Sequence, residues 1–135
     1  MQFIKAGSRP SKQAPADKFV GTVWQDPIAV PPEPARAHLL RVAFEPGART
    51  NWHFHPLGQT LHVIQGAGLF GLRGEAPRRF MPGDTIWIPP GLEHWHGAQP
   101  DKGMVHLALQ EAVDGSTSTW LDPVSDEDYL REPVG

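Results

Sequence analysis

At 135 residues the chain is long enough for one domain around one hydrophobic core, and its formal net charge of -3 leaves no basic face for nucleic acid or anionic lipid. Fifteen prolines and fourteen glycines interrupt it too often for long helices, and the absence of cysteine excludes disulfides, thiolate metal sites and thiol nucleophiles. No apolar run reaches signal-peptide or membrane-spanning length, so the expectation is a soluble, cytoplasmic, all-β protein.

Residues 1–18 are polar and proline-interrupted and read as an N-terminal arm, with a candidate edge strand at QFIKAG available for pairing with another subunit. A barrel is expected over residues 19–122. FVGTVW has the β-branched and aromatic content of a strand, whereas DPIAVPPEP reads as a loop because proline donates no ladder hydrogen bond. AHLLRVAFEPG alternates: His38, Leu40, Val42 and Phe44 share one parity, expected to face inward, and Leu39, Arg41, Ala43 and Glu45 share the other. Further strands are expected at TNWHFH, QTLHVIQG, LFGLRG, RRFMPGD, TIWIPPG, HWHGAQP and MVHLALQE, each bounded by glycine or proline turns. Many short strands at this spacing predict a sandwich or barrel. Only residues 123–135 differ: Ser125 before Asp126, Glu127 and Asp128 predicts an N-cap and a short C-terminal helix within VSDEDYLRE.

Four of the seven histidines form two H-x-H pairs, His53/His55 and His94/His96. Residues two apart on a strand face the same side, so each pair can aim two imidazoles at one point. One such pair alone is more often a surface feature; two, each framed by glycines, point to a metal site. His96 shares a face with His94, and His106 shares parity with Ala108 and Gln110. His62 has the opposite parity to Gln59, and His38 starts a strand, so both are expected outside the site.

The frame around these pairs is informative. Gly47, five residues, His53-Phe54-His55, three residues, Gln59, six residues and Gly66 resembles the first cupin motif. Gly83, five residues, Pro89-Pro90-Gly91, two residues and His94 resembles the second. The resemblance covers nearly the whole chain and implies a double-stranded β-helix, a jelly-roll-like barrel of two antiparallel sheets, holding one divalent metal through His53, His55, Gln59 and His94. Two positions depart from the family pattern: Gln59 replaces the usual glutamate, and Ala98 replaces the asparagine that usually closes the second motif. A carboxamide oxygen still bonds a cation, and three neutral imidazoles with a neutral amide leave the charge of a dication uncompensated, which favours anion binding and Lewis acidity.

The runs FEPGART, HPLGQTL, HWHGAQPD, MVHLALQE and VSDEDY narrow the resemblance to the manganese-dependent bacterial cupin hydroxynitrile lyases and the cupins associated with carboxymuconolactone decarboxylase domains. That likeness implies cleavage of a small cyanohydrin such as mandelonitrile to an aldehyde and hydrogen cyanide, with the reverse addition. It implies Mn2+ as the metal, with Fe2+, Zn2+ and Ni2+ as alternatives, and a homodimer or homotetramer. His96 and His106 become candidate catalytic bases, with a fifth-ligand role for His96 and a packing role for His106 as the alternatives. Thr50 is a weaker candidate for bonding the substrate oxygen. The substrate pocket is expected to be walled by Leu40, Val42, Phe44, Ala108 and Gln110, and the aromatic residues Trp52, Phe54, Phe70 and Trp87 belong either to that wall or to the core. Two other classes remain open: an iron cupin dioxygenase and a non-catalytic cupin that binds a small ligand.

Overall fold

The computed structural model describes residues 1–135 and contains thirteen short strands and one helical turn. In chain order these are β1 (Lys12–Gln13), β2 (Phe19–Val20), β3 (Val23–Ala29), β4 (Ala37–Phe44), β5 (Arg49–Thr50), β6 (His53–Phe54), β7 (Gln59–Gly66), β8 (Gly68–Leu72), β9 (Arg78–Phe80), β10 (Thr85–Ile88), β11 (His94–Ala98), β12 (Met104–Glu111), β13 (Thr119–Trp120) and α1 (Asp126–Tyr129). One sheet has the order β1-β3-β4-β12-β7-β10; the other runs β13-β6-β11-β5-β2, with β8 added on β11 and β9 on β8. All of these strand pairs are antiparallel. No helix is long and apolar enough to cross a membrane.

The inner faces meet in a core of Phe19, Val23, Val42, Phe44, Leu61, Val63, Phe80, Ile88, Met104 and Ala108. The alternation predicted for β4 holds: Val42 and Phe44 are buried, and Ala43 between them is not. A second cluster, Trp52, Leu69, Trp95, Val124 and Tyr129, packs the C-terminal segment onto the outside of the other sheet. Ser125 caps α1 by accepting a hydrogen bond from the Asp128 N–H, and three acidic residues occupy the first turn.

Three expectations are corrected. QFIKAG forms no strand; the arm pairs through Lys12 and Gln13, which lie opposite Gln25 and Trp24 of β3 within the same chain. FVGTVW splits in two at Gly21, whose φ is +81°. β3 then continues through Asp26-Pro27-Ile28, a stretch expected to be a loop. Pro27 is tolerated because its pairing with β4 lies beyond the two-residue reach of β1, and the register shifts between Pro27 and Ala29. The sequence reading also missed β13, which lies beside β6.

Candidate metal centre

The two H-x-H pairs meet because β6 and β11 are neighbours with His53 directly opposite His94, their ring centroids 4.2 Å apart. His55 follows on the same side as His53, 5.0 Å away between ring centroids. The chain then turns at Gly58, whose φ is +82° and where a Cβ would lie 2.6 Å from the Ile88 carbonyl oxygen, so that Gln59 enters β7 facing inward. His106 reaches the same interior from β12, opposite Val63, just after a register shift that lets β12 follow the curve of β7. His53, His55, Gln59, His94, His96 and His106 are all at most 4% exposed.

Five imidazoles packed this deeply cannot all hold charge. Burial, followed by repulsion from neighbouring rings, holds His53 and His96 well below the ordinary histidine range. Burial likewise lowers His55, brings His94 to about 4 and brings His106 to about 3. The rings are neutral at pH 7, which is the state in which imidazole offers a lone pair.

Backbone carbonyls decide which nitrogen offers it. His53 Nδ1–H donates to Asn51 O at 2.9 Å, His55 Nδ1–H to Thr117 O at 2.8 Å, and His94 Nδ1–H to Leu92 O at 2.9 Å. A carbonyl only accepts, so in each ring the proton sits on Nδ1 and the lone pair on Nε2. The Nε2 of His55 is buried without a partner. The Nε2 of His94 faces Gln59 Oε1 at 3.3 Å, and because Gln59 Nε2 donates to Gln110 Oε1 at 2.9 Å, two acceptors confront each other with no proton between them. Facing lone pairs of this kind fit a shared cation, and an imidazole-and-amide donor set fits a divalent transition metal.

His96 is held differently. Its Nδ1 lies 2.9 Å from His106 Nε2, so one proton joins two imidazoles instead of joining an imidazole to a carbonyl. The outer nitrogens of the pair, His96 Nε2 and His106 Nδ1, are buried without partners. Nitrogens of His53, His94 and His96 lie within 4.8 Å of one another, close enough for these three rings to share one metal ion, so His96 stands both in this group and in the imidazole pair. Thr50 Oγ1 accepts the His96 backbone N–H at 3.2 Å, which leaves the hydroxyl proton free to donate elsewhere.

The interior cavity has a free volume of about 30 Å³, and Thr50, Leu40, Val42, Ala108 and Gln110 lie on its wall together with the histidines. Phe44 does not reach that wall. It packs behind the imidazole pair, with ring centroids 5.9 Å from His96 and 5.3 Å from His106. Of the aromatic candidates, Trp52 belongs to the second cluster, Phe70 stacks on His94 at 5.9 Å, Phe54 is half-buried on β6, and Trp87 is 65% exposed on the outer face. The wall also contains Phe19, Gln25, Ser118 and Trp120, which the sequence reading missed. Trp120 stacks on His53 at 4.5 Å from β13, a strand of two residues with no alternation to betray it. His62 bonds the Thr85 hydroxyl on the exposed surface, outside the site as expected.

Residues 40–109 match the family model described as Cupin domain. The chain is 49% identical over 131 residues to an (R)-mandelonitrile lyase of Granulicella tundricola, covering 97% of this chain and all of that one. It is 37% identical over 73 residues to an acireductone dioxygenase of Rhodopseudomonas palustris, spanning 52% of this chain and 41% of the relative. Among solved structures, a cupin-like protein of Thermotoga maritima superposes with a TM-score of 0.82 at 37% identity, over 96% of this chain and 95% of that one.

Proposed function

We propose that this chain, which belongs to the cupin domain family, is a divalent-metal-dependent carbon–carbon lyase that splits cyanohydrins such as mandelonitrile into an aldehyde and hydrogen cyanide and catalyses the reverse addition. The observation that carries the reading is the division of labour among the five buried histidines. Three have their Nδ1 protons fixed on backbone carbonyls, and two share a proton with each other. His53, His55, Gln59 and His94 would hold the metal, Mn2+ in our reading, which when bound supplies a positive centre that acidifies a hydroxyl and attracts an anion.

The chain's own residues supply the proton chemistry. When His96 Nδ1–H donates to His106 Nε2, the His96 Nε2 lone pair is free to take the substrate hydroxyl proton. Carbonyl formation then breaks the bond to the nitrile carbon, and the electron pair leaves with cyanide. The proton on His96 returns to cyanide and the pair is restored. His106 shares the charge while the proton is held. Thr50, whose oxygen is already engaged by the His96 N–H, donates its hydroxyl proton to the substrate oxygen. A cavity of about 30 Å³ admits roughly two water-sized groups, so the nitrile and hydroxyl enter while the organic substituent lies toward Phe19, Leu40 and Trp120.

The partial likeness to acireductone dioxygenases supports a second reading, an iron-dependent oxygenase. The test is elemental analysis of the purified protein, then benzaldehyde release from mandelonitrile and oxygen uptake, each measured metal-free and after addition of Mn2+ or Fe2+. Aldehyde release restored by Mn2+ without oxygen uptake supports the lyase; metal-dependent oxygen uptake without aldehyde release overturns it. For assembly, Ile64, Trp87 and Leu109 are 43%, 65% and 42% exposed on the outer face of the six-stranded sheet, and we propose that this face pairs two copies into a homodimer or homotetramer. Light scattering on Trp87→Glu checks this by loss of the oligomer.

A further inference from the structure

We propose that Gln110 is a positioning residue that decides which end of the Gln59 amide faces the metal; this rests on the reading of Gln59 as a ligand. The oxygen and nitrogen ends of a carboxamide are nearly the same size, and only the oxygen bonds a cation. Beside Gln59 lies His94 Nε2, a bare lone pair at 3.3 Å that would accept a hydrogen bond from the amide nitrogen if the group rotated by half a turn. That rotation would aim two protons into the site in place of a donor oxygen. A glutamate at this position would have no wrong end; a glutamine needs an external constraint.

Gln110 supplies it. The two residues sit opposite each other on the adjacent strands β7 and β12, and Gln110 Oε1 accepts from Gln59 Nε2 at 2.9 Å. With its nitrogen engaged there, Gln59 turns its oxygen toward the imidazoles. Both side chains are less than a tenth exposed, so water does not compete freely for either group. The Gln110 amide nitrogen has no hydrogen-bond partner in the protein, and Gln110 lies on the cavity wall. Orientation of Gln59 therefore also fixes what Gln110 offers the substrate: N–H donors, suited to a nitrile nitrogen or an oxygen that gains negative charge.

The test is Mn2+ affinity, measured by competition with a chromogenic chelator, for the parent, Gln110→Leu, Gln110→Glu, Gln59→Ala and the Gln59→Ala/Gln110→Leu double variant. Gln110→Leu keeps the shape and loses the acceptor, so affinity should fall about tenfold or more, within the usual 10–100-fold reach of a residue that orients a ligand. Gln110→Glu keeps an acceptor and should bind Mn2+ within about threefold of the parent or more tightly. The double variant should bind no more weakly than Gln59→Ala, because a residue acting only through Gln59 has no effect once Gln59 is gone. If Gln59→Ala weakens binding and Gln110→Leu does not, the positioning role is overturned and the ligand assignment stands. If Gln59→Ala leaves affinity unchanged, or the parent binds no Mn2+, the ligand assignment itself fails. Should Gln110→Leu not fold, Gln110→Asn, which shortens the reach by one methylene, replaces it with the same expected loss.

Discussion

Two sets of buried polar groups in this barrel are treated in opposite ways. Outside the second sheet, Arg49 is 5% exposed, yet its Nη2 donates to Val124 O at 2.7 Å and to Asp126 Oδ1 at 2.8 Å. Its guanidinium lies 4.3 Å over the ring of Tyr129, whose hydroxyl donates to Ala98 O at 2.6 Å. All but Nε of that group is engaged, and the result is a clamp on the C-terminal segment. Inside the barrel, His55 Nε2, His96 Nε2 and His106 Nδ1 are equally buried and have no partner. An unsatisfied buried polar atom costs about 1–3 kcal/mol, so three in one cavity would be a heavy structural penalty unless a ligand completes them. The fastening leaves one guanidinium nitrogen bare, whereas the site gathers three bare imidazole nitrogens around one cavity.

Substitutions should separate the two places. The largest effect is expected inside: His94→Ala or His53→Ala removes an imidazole whose tautomer is already fixed for bonding, and should abolish metal retention and cyanohydrin cleavage together. Metal analysis after dialysis checks the first and an aldehyde-release assay the second. If both variants retain a full metal complement, the ligand assignment is wrong.

Acid should break the inner site before the clamp. Histidines whose pKa is lowered by folding bind fewer protons in the native state than in the unfolded state, so stability is present above about pH 6.5 and is lost as pH falls toward the native values of about 4 for His94 and about 3 for His106. At pH 5 each costs the metal-free protein roughly 2 kcal/mol. Thermal melts of metal-free protein between pH 7.5 and 5 should show a steep decline, reduced by added Mn2+, which competes with the protons. A flat profile would mean the rings are not buried as described.

His106→Asn removes the second member of the imidazole pair without touching a ligand. Turnover should fall about a hundredfold, the lower range for general acid–base catalysis, while metal content stays at the parental level. Loss of both together would give His106 a structural or ligating role.

Gln59→Glu alters charge with little change of shape. Metal affinity should hold or rise. Anion affinity should fall: one unit charge at ~4 Å is worth about 4 kcal/mol at an effective dielectric of 20, before relaxation reduces it. Azide titration of the loaded protein should therefore show binding weaker by about tenfold or more. Equal or tighter azide binding would show that charge is not the reason for glutamine here.

The smallest effects belong to the clamp. Asp126 is exposed, so Asp126→Ala should cost no more than about 1 kcal/mol of stability. Arg49→Met, which also loses the Val124 bond and the Tyr129 stack, should cost about 1–3 kcal/mol. Denaturant melts check both, and neither variant should alter metal content.

Strands β7, β11 and β12 were legible because glycine or proline bounds each of them and their residues two apart share a face. The histidine pairs were legible because spacing alone puts both rings of each pair on one face. What the sequence hid depends on register between strands distant along the chain. Nothing local says that Gln110 stands opposite Gln59, or that His106 comes within 2.9 Å of His96. Trp120 was missed because a two-residue strand inside STSTW carries no period. Pro27 misled because an edge strand tolerates a residue that a central strand would not. Phe44 has the inward parity expected of it, but parity does not distinguish a cavity wall from the layer behind it.

The most direct measurement is anomalous X-ray scattering at the manganese edge from crystals of the Mn2+-loaded protein. The predicted result is one peak per chain, bonded by Nε2 of His53, His55 and His94 and by Oε1 of Gln59, with His96 and His106 still paired and unbonded to it. A peak bonded by His96 in place of His55, or no peak within the histidine cluster, would contradict it.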